Sequence, residues 1–198
     1  MTKPTLYCIN VCQRASAAMP CGVDDPTLPE GKVNRSDASA NLGSLSNLET
    51  FSQELIAVAR DCVPYGNSPI SYDIKLLFDK VPHYIELFRV EHVNTDNITP
   101  RTDRLYMLIT RARSNHFFGS GSADLTDTNA LHEYAYSIVV ISEYVIRHRY
   151  GKIGIYIHDL IQIASHHLRK MQDPTSMEWN TRLTRLGEKM FSITAHSV

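Results

Sequence analysis

The sequence predicts an all-α protein, a helical bundle of six or seven helices built around a central apolar helical hairpin and preceded by an extended N-terminal arm. Three observations carry that expectation. Apolar residues recur at helical spacing through most of the chain after residue 46. Gly, Pro and short polar clusters break the pattern at intervals that suit short helix connections. The stretch Thr128 to Met171 contains two long apolar-periodic runs joined by the basic cluster Arg147-His148-Arg149-Tyr150-Gly151-Lys152.

Two regions follow from composition, an arm over 1–45 and a bundle over 46–198. Residues 5 to 12 are β-prone and fit one short strand or an extended segment. From Gln13 to Ser46 the chain turns to Pro20, Pro26, Pro29, Gly22, Gly31 and Gly43 among many Ser, Asn and Asp, without periodicity. A structureless stretch of that length inside a compact domain usually serves a function or has a binding partner. The arm is therefore expected to pack on its own domain, on a neighbouring subunit or on another protein.

The first helix opens at Ser46-Asn47-Leu48-Glu49, which fits a capping box. Leu48, Phe51, Leu55, Ile56, Ala59 and Cys62 form its apolar face, and Pro64 stops it. A second helix starts near Ser71 with Ile74, Leu77, Phe78 and Val81 on one side; Pro82 either kinks it or opens a new helix carrying Ile85 and Phe88. Thr99-Pro100 opens the next helix, with Leu105, Leu108, Ile109 and Ala112 inward, and Gly119-Ser120-Gly121-Ser122 closes it.

The hairpin is predicted to fold at Gly151. Leu131, Tyr134, Ile138, Ile141 and Val145 line its first helix, and Ile153, Ile157, Leu160, Ala164, Leu168 and Met171 line its second. The block from Tyr134 to Ile146 reads as too apolar to face water on any side. A last helix follows Pro174, with Thr175-Ser176-Met177-Glu178 as a second capping box and Trp179, Leu183, Leu186, Met190 and Ile193 as its seam.

Twenty basic residues against twenty-one acidic ones leave a net charge of -1, so bulk electrostatics announces neither a nucleic-acid nor a membrane partner. No apolar run reaches the roughly 18 to 20 residues of a membrane span. The first residues lack the apolar core of a secretory signal, which predicts no membrane association, a cytoplasmic setting and free thiols. Cys8, Cys12 and Cys21 do not have the paired spacing of a zinc knuckle. His158, Gln162 and His166 share a helix face beside Asp159 and His167, but neither a zincin motif nor a di-iron Glu-x-x-His set is present, so no metal and no cofactor is expected. Glu143 sits among apolar neighbours, and Arg147 at i+4 is its expected partner.

Arginine is the persistent polar theme, with thirteen Arg to seven Lys. Arg101, Arg104 and Arg111 fall near one helix face, Arg113 follows, and Arg147, Arg149 and Lys152 surround the hairpin turn. Guanidinium groups mixed with aromatics suit phosphates, nucleic-acid bases or acidic protein surfaces. These seven residues are the candidate contacts for nucleic acid or another anionic partner. The function expected is a non-enzymatic helical interaction or assembly protein, either a self-assembling subunit, and so a homo-oligomer, or an adaptor in a larger complex.

The alternative rests on Arg111-Ala112-Arg113-Ser114-Asn115-His116. An Arg, four intervening residues and a His near a helix end is similar to the motif of HEPN-type ribonucleases, small helical bundles that dimerise and cut RNA. The resemblance covers six residues, and Ala112 stands where that family usually has a polar residue. It implies metal-independent RNA cleavage with His116 as general acid or base and Arg111 steadying charge on the phosphate.

Overall fold

A computed structural model describes residues 42–63, 68–92, 98–116, 118–119 and 121–196. The arm, with Cys8, Cys12 and Cys21, lies outside them apart from its last residues. Six helices make up the described structure: α1 (Leu45–Cys62), α2 (Ser71–Glu91), α3 (Ile98–Asn115), α4 (Thr128–His148), α5 (Gly151–Met171) and α6 (Pro174–Ala195). No strand occurs among the described residues.

The helices pack as two groups of three around one core. In the first group α2 runs antiparallel to α3, tied at one end by Arg89 to Thr102 and Asp103 and at the other by the Gly119 N–H donating to Ser71 Oγ at 2.9 Å. In the second, α5 packs most extensively on α6, and α4 lies in the angle between them. The α5–α6 approach is close because two glycines sit on it. A Cβ on Gly154 would stand 3.1 Å from Met190 Sδ, and one on Gly187 would stand 3.5 Å from Ile161 Cγ2. Phe51, Phe78, Leu55, Ile85, Ile109 and Ile138 are among the largest side chains removed from water. Each contributes on the order of 1.5–3 kcal/mol of burial.

The apolar spacing of every helix reappears as its buried face, with specific departures. Leu108, expected inward, is 44% exposed, and Thr102 takes an inward place nearly two turns earlier, its hydroxyl bonded to the Thr99 carbonyl. Pro82 lies inside one continuous α2 rather than at a helix start. The expected capping boxes do not form as read. Ser44 precedes α1 and makes no side-chain cap, while Glu49 of the expected box reaches Arg101 on α3 instead. At α6 the cap is Asp173, whose carboxylate accepts from the Ser176 N–H at 2.9 Å, with Pro174 as the first helical residue.

The hairpin also turns differently. The left-handed residue is Arg149 at φ 55, not Gly151. Arg149 N–H donates to the Ile146 carbonyl and Tyr150 N–H to that of Val145, the paired bonds of a Schellman ending. Nor is α4 sheathed on all sides. Tyr136 is 58% exposed and Val140 39% exposed, and they share an outer face with Glu133, Glu143 and Arg147.

A tertiary contact finishes α5. Tyr150 supplies no side-chain cap, and the carboxylate of Glu54 on α1 accepts from the Ile153 N–H at 2.8 Å. The backbone N–H groups of Lys152 and Gly151 turn toward the same carboxylate. Burial raises the Glu54 carboxyl above its usual value, against the lowering effect of those donors and of the Lys152 charge.

Candidate functional site

Five of the eleven arginines among the described residues pair with carboxylates within the molecule. Arg101 grips Glu49 of α1 through two nitrogens, at 3.2 and 2.7 Å. Arg113 reaches Asp79 of α2 at 2.9 Å, where Lys75 also lies 3.0 Å from the carboxylate. Arg89 holds Glu86 and Asp103, and Arg60 holds Asp61. Glu143, expected to pair with Arg147, pairs instead with Arg182 of α6 at 2.9 Å. The long-range partner wins because α6 runs parallel to α4 and brings Arg182 alongside, its guanidinium over the Trp179 ring.

Arg104 and Arg111 differ. Both are exposed, and no ion pair or side-chain hydrogen bond engages either among the described residues. With Arg101 and Leu108 they occupy positions i, i+3, i+7 and i+10 of α3, one stripe along the helix. Leu108 is 44% exposed within it, and Met107 beside it is 71% exposed. The stripe thus holds two uncommitted guanidinium groups around an apolar centre.

The hairpin turn offers a second set. Arg147 and Arg149 are exposed and unpaired among the described residues, whereas Lys152 is half-buried and its charge acts on Glu54. Arg60 relates this turn to the end of α3. Its neighbour Asp61 accepts from the Tyr144 hydroxyl of α4, and Tyr144 stands 4.3 Å from the His148 ring. On the other side the Arg60 charge reaches His116. The C-terminal ends of α1 and α4 therefore meet through Asp61 and Tyr144, both bringing basic side chains, as the negative pole of a helix favours, and the Arg60 charge reaches the residue that follows α3. Arg60 was not singled out in the sequence because nothing local marks it; only the tertiary fold joins it to His116 and Tyr144.

His116 is half-buried, and burial followed by the Arg60 charge lowers its pKa from the usual histidine value. Its ring lies 6.0 Å from Phe118, which packs on Phe78. No hydrogen bond joins Arg111 to His116.

The α5 histidines separate. His158 and Gln162 line an open groove of about 450 Å³ between α5 and α6, together with Arg169, Asn180 and Phe191. His166 is exposed and meets the edge of His167, whose pKa burial lowers. No group of three metal-binding side chains occurs among the described residues. No described helix is long and apolar enough to cross a membrane. Cys62 is buried, and its thiol is pushed up to about 12 by burial and then by Asp61.

Comparisons with protein-family models, with curated proteins and with solved structures find no match to this chain.

Proposed function

We propose that this chain is a non-enzymatic interaction and assembly protein that docks an anionic partner on the outer stripe of α3. The observation that carries the reading is the contrast among arginines. Arg60, Arg89, Arg101, Arg113 and Arg182 each meet a carboxylate, while Arg104 and Arg111 flank exposed Leu108 and meet none among the described residues. A planar guanidinium is suited to bidentate contact with phosphate or carboxylate, and an exposed apolar centre between two such groups suits burial under a partner. Arg101 would remain with Glu49 and orient the stripe, and Arg149 would add a basic side chain at the hairpin turn. The partner's shared chemistry is a row of phosphates or carboxylates.

Chromatography of the full chain on immobilised heparin tests this. The Arg104→Glu/Arg111→Glu protein should elute at clearly lower salt than wild type, while an α6 control of equal charge change, Arg185→Glu/Lys189→Glu, should shift little. Equal shifts for both pairs would reject a localised site. A labelled single-stranded oligonucleotide then separates the partner classes: if phosphates are bound, removing two contacts lowers the salt slope by about 1.4.

The half-buried His116, its pKa lowered by burial and then by the Arg60 charge, favours one second reading, the metal-independent ribonuclease in which Arg111 and His116 act on RNA. Cleavage by wild type in chelator that disappears in His116→Ala would establish it; absent or unchanged cleavage would reject it.

A further inference from the structure

The outer face of α4 carries a pattern that neither the α3 stripe nor the core uses. Glu133, Tyr136, Val140, Glu143 and Arg147 follow one another at spacings of three, four, three and four, the repeat of a coiled-coil seam. All five are exposed, although Tyr136 and Val140 are large apolar side chains, 58% and 39% exposed. A helix wanted only for its inner face would carry polar residues here. The α4 core face is complete without them, being filled by Leu131, Tyr134, Ile138, Ile141 and Val145.

We infer that this stripe pairs with the same stripe of a second copy in an antiparallel, two-fold-symmetric helix contact centred on Val140. The inference rests on the assembly part of the reading above, but on a different face of the molecule. Charge complementarity identifies the occupant. Val140 lies midway between Glu133 and Arg147, seven residues from each. When two α4 helices run antiparallel with their Val140 side chains on the axis, Glu133 of one copy faces Arg147 of the other, twice. Neither residue has an ion-pair partner among the described residues, so neither must surrender one.

The same register sets Tyr136 across from the half-buried Tyr144 of the second copy, whose hydroxyl stays on its own Asp61. Glu143 falls opposite Ser137, a small hydroxyl, and keeps its own Arg182 at the rim. A parallel arrangement sets Glu133 against Glu133 and Arg147 against Arg147, which like-charge repulsion opposes. The stripe spans about 21 Å at 1.5 Å per residue, roughly four turns, and the α6 edge with Trp179 and Arg182 widens it. Phosphates and anionic lipid surfaces fit poorly, since Glu133 and Glu143 both stand in the seam.

Light scattering on the full chain over a concentration series tests the inference, with circular dichroism confirming that each variant keeps its helices. Wild type should rise from 22.4 kDa toward twice that mass. Val140→Glu, which puts two carboxylates on the axis, should remain monomeric. Glu133→Arg and Arg147→Glu should each weaken dimerisation by about tenfold or more, and the two together should restore it to within about threefold of wild type. The restoration distinguishes pairing from general damage to α4. A wild type that stays monomeric throughout overturns the inference. So does a dimer indifferent to these substitutions, or one in which the double exchange remains as weak as the single changes. Wild type that is held by heparin through Arg104 and Arg111 yet remains monomeric overturns this seam alone; wild type that dimerises as described but elutes normally after the α3 substitutions overturns the α3 site alone.

Discussion

Arg149 shows how much one backbone position decides. A non-glycine residue in the left-handed region costs about 1–2 kcal/mol, because Cβ crowds the following carbonyl. The Schellman ending of α4 nevertheless requires that conformation at residue 149. Arg149→Gly is therefore expected to raise stability by about 1 kcal/mol in chemical denaturation. An unchanged or lower midpoint would mean that the Arg side chain contributes more than its backbone costs. Glu54 is the second decisive residue. Glu54→Ala removes the acceptor from the start of α5 and should cost about 1–2 kcal/mol, while Glu54→Gln keeps an acceptor oxygen and should recover most of that loss. The pH dependence has a definite sign. The folded Glu54 carboxyl binds a proton more readily than the unfolded one, so its contribution favours the folded state at low pH and is lost as pH rises through the raised value. Asp61, Asp124 and Asp173 act oppositely. Hydrogen bonds hold their carboxyls below the ordinary value, so their contribution is present above about 3.8 and is lost as pH falls further. Replacing Glu54 by Gln should thus remove a fall in stability just above the normal glutamate range and leave the acid limb of the profile in place.

At the scale of elements, the packing of α5 on α6 turns on its two glycines, which are not equivalent. A methyl at Gly187 meets ordinary van der Waals distances, so Gly187→Ala gains helix propensity of about 1 kcal/mol and should raise Tm by roughly 2–4 °C. A methyl at Gly154 is tight against Met190 Sδ and Thr194 Cγ2, at 3.1 and 3.2 Å, and Val145 closes the third side at 3.7 Å. Gly154→Ala should therefore give a smaller gain or a loss, read in the same thermal scan; a larger gain at 154 than at 187 would contradict this helix contact. These elements were largely legible in the sequence, since the spacings of Leu48 to Cys62, Ile74 to Phe88 and Leu131 to Val145 reappear as buried faces. Helix ends were less so. Ser46 and Thr175 looked like caps, but α1 starts one residue before Ser46, and Asp173 ahead of Pro174 claims the start of α6. Gly151 looked like the turn because glycine is the usual left-handed residue, whereas the bonds to Val145 and Ile146 set the turn at Arg149.

At the scale of the whole molecule, the distribution of surface charge separates scaffold from surface available to a partner. The sequence marks Arg101, Arg104, Arg111 and Arg113 as one basic group. Folding divides them, because Glu49 and Asp79 arrive from α1 and α2 to take Arg101 and Arg113. No local pattern encodes those partners, so only tertiary structure identifies the arginines left over. The same holds for Glu143, whose partner Arg182 lies one helix beyond the hairpin. Outward apolar side chains remain on several helices, among them Leu108 and Met107 on α3 and Tyr136 and Val140 on α4. On this account α3 takes an anionic partner and α4 takes a second copy, while the core positions both. The most direct measurement of the central claim is the elution salt of the Arg104→Glu/Arg111→Glu protein on heparin beside that of Arg185→Glu/Lys189→Glu. The account predicts a clear drop for the α3 pair and little change for the α6 pair. Equal elution of the two variants would contradict it.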